Sequence, residues 1–148
     1  MPSSSRNWAW RNNRGSRCMT AFTQSFTPDP VDIDELSHVN NAVWVRWIQD
    51  MATAHWAAVA RPEDQAAYIW VVVRHEIDYL GNVGPGAAVV ARTWISDRPK
   101  GARFDRNVDF TDAAGKVIVR AKTTWAMIDK ASGRIARVRD EIAAPFFD

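Results

Sequence analysis

The chain has 148 residues, 47% of them apolar, with eight Trp and six Phe. That suffices for one folded domain with its own core and excludes intrinsic disorder as its general state. The net charge of +2 comes from the first 28 residues, which hold Arg6, Arg11, Arg14 and Arg17 and no acid; fifteen basic and seventeen acidic residues follow. The basicity thus belongs to a tail, which argues against nucleic acid as a partner, and no apolar run approaches the roughly eighteen residues of a membrane span.

Residues 1–19 are rich in Ser, Asn, Arg and Gly and lack a helical or strand period. They read as a disordered basic tail or an upstream extension, ahead of a domain at 20–148. The single Cys18 cannot close an internal disulfide, which fits a reducing, cytoplasmic setting. From Ala21 to Thr27, Phe22, Gln24 and Phe26 alternate with hydroxyl residues, as in a short strand, and Pro28 and Pro30 end it.

Asp32-Ile33-Asp34-Glu35-Leu36-Ser37-His38-Val39-Asn40-Asn41 comes next. It packs carboxylates, an imidazole and two amide side chains into ten residues just before a helix start. Val43, Trp44, Trp47, Ile48, Met51, His55 and Ala58 then recur at three and four, predicting one long amphipathic helix that closes at Arg61-Pro62. His55 lies on its apolar stripe and reads as a core or interface histidine. Four predicted strands follow: Tyr68–Leu80, Ala87–Ser96, Arg103–Thr111 and a long one from Val117 to Met127. Turn residues separate them at Gly81–Gly86, Asp97–Gly101 and Asp112–Gly115. Ala143–Phe147 is a short apolar patch at the C-terminal end. One strand, a long helix and a run of hairpin strands make an α+β arrangement with an antiparallel sheet.

The pattern Asp32-x-Asp34-x3-His38-Val39-Asn40-Asn41, leading into the long helix, resembles the acyl-CoA and acyl-ACP thioesterases of the hotdog fold, the 4-hydroxybenzoyl-CoA thioesterase-like group. Asp78-Tyr79-Leu80 with Gly84 and Gly86, Arg92-Thr93-Trp94, and Thr124 to Asp129 with Ser132-Gly133-Arg134 are similar to the family's later strands. The likeness spans residues 20–147. It implies an antiparallel sheet wrapped around one long central helix, and a homodimer, in places paired into a tetramer, with the active site at the dimer seam. It also implies hydrolysis of an acyl-CoA (or acyl-ACP) thioester, with CoA part of the substrate and no separate cofactor. The family's catalytic carboxylate corresponds to Asp34.

Elementary chemistry agrees with that assignment. A helix start presents unpaired N–H groups and a positive dipole end to a developing oxyanion, and one carboxylate can then act as base or nucleophile. On this reading Asp34 is the catalyst, His38 orients water or the carbonyl, Asn40 and Asn41 hold water or cap the helix, and Asp32 is a turn former. Asp32, Asp34 and His38 have no second ligand cluster nearby, so no metal is expected. Arg98, Lys100 and Arg103 are candidates for the CoA phosphates, and Trp44, with Trp47 and Trp70, for the acyl pocket. Departures narrow the type: Leu36 stands where plant acyl-ACP thioesterases carry Asn, Leu80-Gly81-Asn82 where they carry a Glu-Cys pair, and Asn41 where another branch has a catalytic His. These favour the simpler acyl-CoA type. The alternatives are a hotdog dehydratase or hydratase, and a non-catalytic acyl-CoA binding protein.

Overall fold

The computed structural model describes residues 21–147; the expected basic tail and Cys18 lie outside them. Strand β1 (Phe22–Phe26) leads through a 3-10 turn at Pro30–Asp32 to helix α1 (Asn41–Val59). A short helix α2 (Pro62–Ala67) follows, then β2 (Tyr68–Tyr79), β3 (Val89–Trp94), β4 (Arg103–Thr111) and β5 (Val117–Asp129). The chain ends in α3 (Asp140–Ala143) and a 3-10 turn at Ala144–Phe146. The five strands form one antiparallel sheet in the order β1-β3-β4-β5-β2. This is the expected α+β hotdog arrangement, one sheet curled on one long helix.

Helix α2 is the main element the sequence reading passed over. Pro62 blocks continuation of α1 but suits the first turn of a new helix, and Glu63 and Asp64 place acids at its positive end. Arg61 holds it with Nε–H donated to Asp64 Oδ2 at 2.8 Å. Strand β3 starts at Val89 rather than Ala87 because Gly84 to Gly86 form a turn, with Gly86 at φ +74°.

Period and packing agree along α1. Its buried stripe of Val43, Trp44, Trp47, Ile48, Met51, Ala52 and His55 faces the sheet's inner surface, where β4 buries Phe104, Arg106, Val108 and Phe110. The core forms two clusters. One gathers the first half of α1 with Val89, Val108, Phe110, Ile118 and Val119; the other gathers Ile95, Phe104, Met127, Ile142 and Phe146. Each fully buried aliphatic or Phe side chain contributes about 1.5–3 kcal/mol. The apolar C-terminal patch belongs to the second cluster, with Phe146 stacked on Trp56 and edge-on to Phe104. Between the clusters lies a polar band of His55, Thr93, Arg106 and Thr123, all buried.

The sheet has two free edges, β1 and β2. Strand β2 is twelve residues long and exposes Ile69, Val71 and Val73 along one face.

Candidate active site at the helix start

A narrow two-stranded turn carries the motif. Ile33 and Val39 form an antiparallel bridge; the Asp34 N–H donates to the His38 carbonyl (2.8 Å) and the Asn40 N–H to the Asp32 carbonyl (2.9 Å). Asp32 closes the 3-10 turn at Pro30–Asp32, whereas Asp34 lies beyond the Ile33–Val39 bridge, so the two carboxylates have different fates. Asp32 is buried: Oδ2 accepts from the Asp29 N–H at 2.9 Å, and Oδ1 meets Arg46 Nη2 at 3.2 Å.

Asp34 is exposed and ends one side of the turn. Its Oδ1 accepts from the Leu36 N–H (2.9 Å) and the His38 N–H (3.1 Å). Those bonds fix the carboxylate's orientation, and Oδ2 has no partner among the described residues. Tightness at the tip requires Ser37 to take φ +61°, a left-handed conformation that side chains adopt at a cost. His38 is exposed beside it.

The helix start is correspondingly selective. Asn40 is the N-cap, its Oδ1 accepting from the Ala42 N–H at 2.9 Å and its carbonyl from the Val43 N–H. With the Asn40 and Ala42 N–H groups engaged, the Asn41 N–H at the helix start has no partner among the described residues.

A residue the sequence reading took for a turn former holds this apparatus in place. The Asn82 side chain pairs with both polar groups of the Val39 backbone, Oδ1 accepting from its N–H at 3.0 Å and Nδ2–H donating to its carbonyl at 3.2 Å. Gly81 lets the chain approach closely enough, since a Cβ there would sit 3.1 Å from Ile118 Cγ2. The Gly81-Asn82-Val83-Gly84 run carried a turn signal, and nothing in it marked a contact 43 residues away.

The other candidates are scattered. Trp44 is fully buried, edge-on to Trp47 and Phe110 in the first core cluster. An aromatic cavity of about 370 Å³ lies further along α1 and is walled by Trp56, Trp70, Phe104, Trp125 and Phe146. Of the three proposed pocket tryptophans, Trp70 alone lines it. Arg98 stands in a cleft of about 300 Å³ with Arg137 and Arg139, while Lys100 and Arg103 close the adjacent turn through mutual backbone hydrogen bonds. Asp140 and Glu141 also line that cleft. Among the described residues no group of three or more His, Cys, Asp or Glu could hold a metal ion, and no helix is long and apolar enough to cross a membrane.

Comparison with known proteins accords with this geometry. Residues 28–146 match the family model described as the thioesterase-like superfamily. A chloroplastic acyl-[acyl-carrier-protein] hydrolase of Cuphea viscosissima is 28% identical over 83 residues, covering 53% of this chain and 20% of that protein. This chain therefore spans about a fifth of that relative's length. A Staphylococcus aureus protein solved in complex with CoA superposes with TM-score 0.75 at 15% identity, over 87% of this chain and 85% of that one. A 1,4-dihydroxy-2-naphthoyl-CoA thioesterase from Synechocystis gives TM-score 0.73 at 14% identity, over 87% and 97%. An acyl-ACP thioesterase from Bacteroides thetaiotaomicron gives 0.74 at 22%, over 86% and 54%. At such identities these likenesses establish the shared fold.

Proposed function

The chain belongs to the thioesterase-like superfamily, and we propose that it hydrolyses an acyl thioester to a free acid and the thiol of CoA or of an acyl carrier protein. One observation carries the reading: the Asp34 carboxylate has one oxygen fixed by loop amides and stands one bridge away from a helix start, and among the described residues neither its other oxygen nor the Asn41 N–H has a partner. In the proposed reaction the Asn41 N–H and the helix dipole stabilise the oxyanion formed on the thioester carbonyl. Asp34 Oδ2 takes a proton from the attacking water, or itself attacks to form a mixed anhydride that water then opens. Either way the C–S bond breaks, and the departing thiolate takes up the proton that the water gives up, by way of Asp34 in the first route and as the anhydride opens in the second. His38, exposed at the same turn, orients the water.

The site in one chain is open to solvent, and we infer that a second copy completes it. A long unpaired strand exposing apolar side chains seeks a partner. Antiparallel pairing of two β2 edges sets the Tyr68–Trp70 end of one against the Tyr79 end of the other. The Tyr79 hydroxyl lies 3.5 Å from the Asn41 carbonyl, and Tyr68, Ile69 and Trp70 line the aromatic cavity. Such a homodimer, alone or doubled into a tetramer, sets each helix start beside the partner's cavity. The cleft of Arg98, Arg137 and Arg139 is the proposed seat for the CoA phosphates, flanked by Lys100 and Arg103.

A panel of acyl-CoA thioesters, followed by release of free thiol, tests the reading. Asp34→Asn keeps an acceptor for the Leu36 and His38 amides, so the turn survives while kcat falls by about 10²–10⁴. Undiminished hydrolysis by Asp34→Asn on the best substrate would sink the mechanism. Hydration of an enoyl-CoA without thiol release would instead identify a hydratase, and tight binding without turnover a carrier.

A further inference from the structure

Arg106 sits on the inner face of β4 and is only 6% exposed, and among the described residues it makes no ion pair. Its Nη1 is fully engaged, donating to His55 Nδ1 at 2.8 Å and to Thr93 Oγ1 at 3.0 Å. The Thr93 hydroxyl sends its own proton to the Asn107 carbonyl, so it can only accept from Arg106. A guanidinium has no lone pair, so His55 Nδ1 is likewise the acceptor and the ring is neutral. Phe22 and Phe146 pack on His55 from two directions and keep it in place. The guanidinium is therefore held by one nitrogen and by the face of Phe146, whose ring centroid lies 5.8 Å from its Cζ, and its Nε–H and Nη2–H edge has no hydrogen-bond partner among the described residues.

That edge belongs to a residue lining the aromatic cavity, about 370 Å³ in volume. Trp125, another wall residue, has a buried indole N–H without a partner among the described residues. Burying a cation without a counter-ion costs several kcal/mol, and an apolar side chain would pack such a wall more favourably. The Nε/Nη2 edge of arginine presents two parallel N–H groups at the spacing of a carboxylate's oxygens. Residues 1–20 contain no Asp or Glu that could supply the missing anion.

We propose that the cavity binds a carboxylate attached to a flat apolar body one or two rings in size, held bidentately by the free edge of Arg106. Resting on the thioesterase reading, that carboxylate is the distal acid of the acyl group, and the preferred substrates are monothioesters of aromatic dicarboxylic acids.

Binding is tested apart from hydrolysis, by calorimetry and by quenching of cavity tryptophan fluorescence. The probes are 2-naphthoate and its neutral isostere 2-naphthamide, against the full-length protein. Wild type should bind the acid about 30-fold or more tightly than the amide. Arg106→Gln should erase that preference, and Arg106→Lys should keep only part of it. Equal binding of acid and amide by wild type overturns the proposal without recourse to any variant, so a misfolded Arg106→Gln protein does not shelter it. Asp148→Asn should bind the acid as wild type does; tightening of tenfold or more would make the chain's own carboxylate the counter-ion and overturn the site. For the substrate, kcat/KM for 4-carboxybenzoyl-CoA should exceed that for its methyl ester at least tenfold, in wild type only. Equal turnover of the two overturns the substrate assignment. Arg106-dependent binding of naphthoate with no hydrolysis of any thioester would refute the thioesterase reading and leave the site standing.

Discussion

At the scale of single residues, neighbouring groups of one chemical type acquire opposite roles from their surroundings. Asp32 and Asp34 are two positions apart, yet one is buried against Arg46 and a backbone N–H while the other is exposed with an oxygen to spare. The buried polar band holds a second case. Burial, with the Arg106 cation beside it, lowers the His55 pKa to about 3, so the folded protein keeps this ring neutral. The unfolded chain takes up that proton near pH 6.5, so stability from this group is complete above 6.5 and is lost as the pH falls. Between pH 6.5 and 4.5 the loss should reach about 2 kcal/mol. Thermal melts should show this decline, and a folded His55→Gln variant should show a flatter one over the same interval. A slope unchanged by the substitution would assign the acid sensitivity to other groups.

At the scale of elements, the Asp34 turn is defined by what grips it. Asn82 holds Val39 through two hydrogen bonds, and each is worth about 0.5–1.5 kcal/mol in such a setting. Asn82→Ala should therefore destabilise the protein by about 1–3 kcal/mol in urea titrations. It should also lower kcat at temperatures where the variant remains folded, because the Asp34 turn loses its anchor; intact kcat would show that the turn holds its shape alone. Ser37 offers the reverse experiment. Glycine relieves the strain of φ +61° at that position, so Ser37→Gly should gain stability, by about 0.5–1 kcal/mol. A loss would mean that the serine hydroxyl contributes more than the backbone strain costs.

At the scale of the whole molecule, the unpaired length of β2 is the edge through which we propose that two copies assemble. Val71 is 44% exposed on that strand, so a lysine there is harmless to one chain and unfavourable between two apolar edges. Sedimentation at micromolar concentration should find a dimer, or a dimer of dimers, for the parent and a monomer for Val71→Lys. Thioester hydrolysis should fall with the dimer, since each proposed site borrows the partner's cavity. A fully active monomer would contradict a shared site.

Much of this architecture could be read directly from residue order. Alternation in Phe104–Phe110 and Val117–Met127, the three-four stripe from Val43 to Ala58 and the turn residues between them set out α1 and the strands, because period and turn chemistry are local properties. The density of polar groups from Asp32 to Asn41 located the candidate site for the same reason. Helix α2 escaped because Pro62 reads equally as an end or a beginning until Asp64 is seen to pair with Arg61. What only the tertiary structure decided are encounters between residues far apart in the chain: Asn82 with Val39, Arg98 with Arg137 and Arg139, and Arg106 with His55 across 51 positions. No period encodes these, since they arise when the sheet closes on the helix and brings distant side chains into one volume. That closure makes Arg106 a buried cation with an edge unpaired among the described residues, where the alternation of β4 alone would have set another apolar residue.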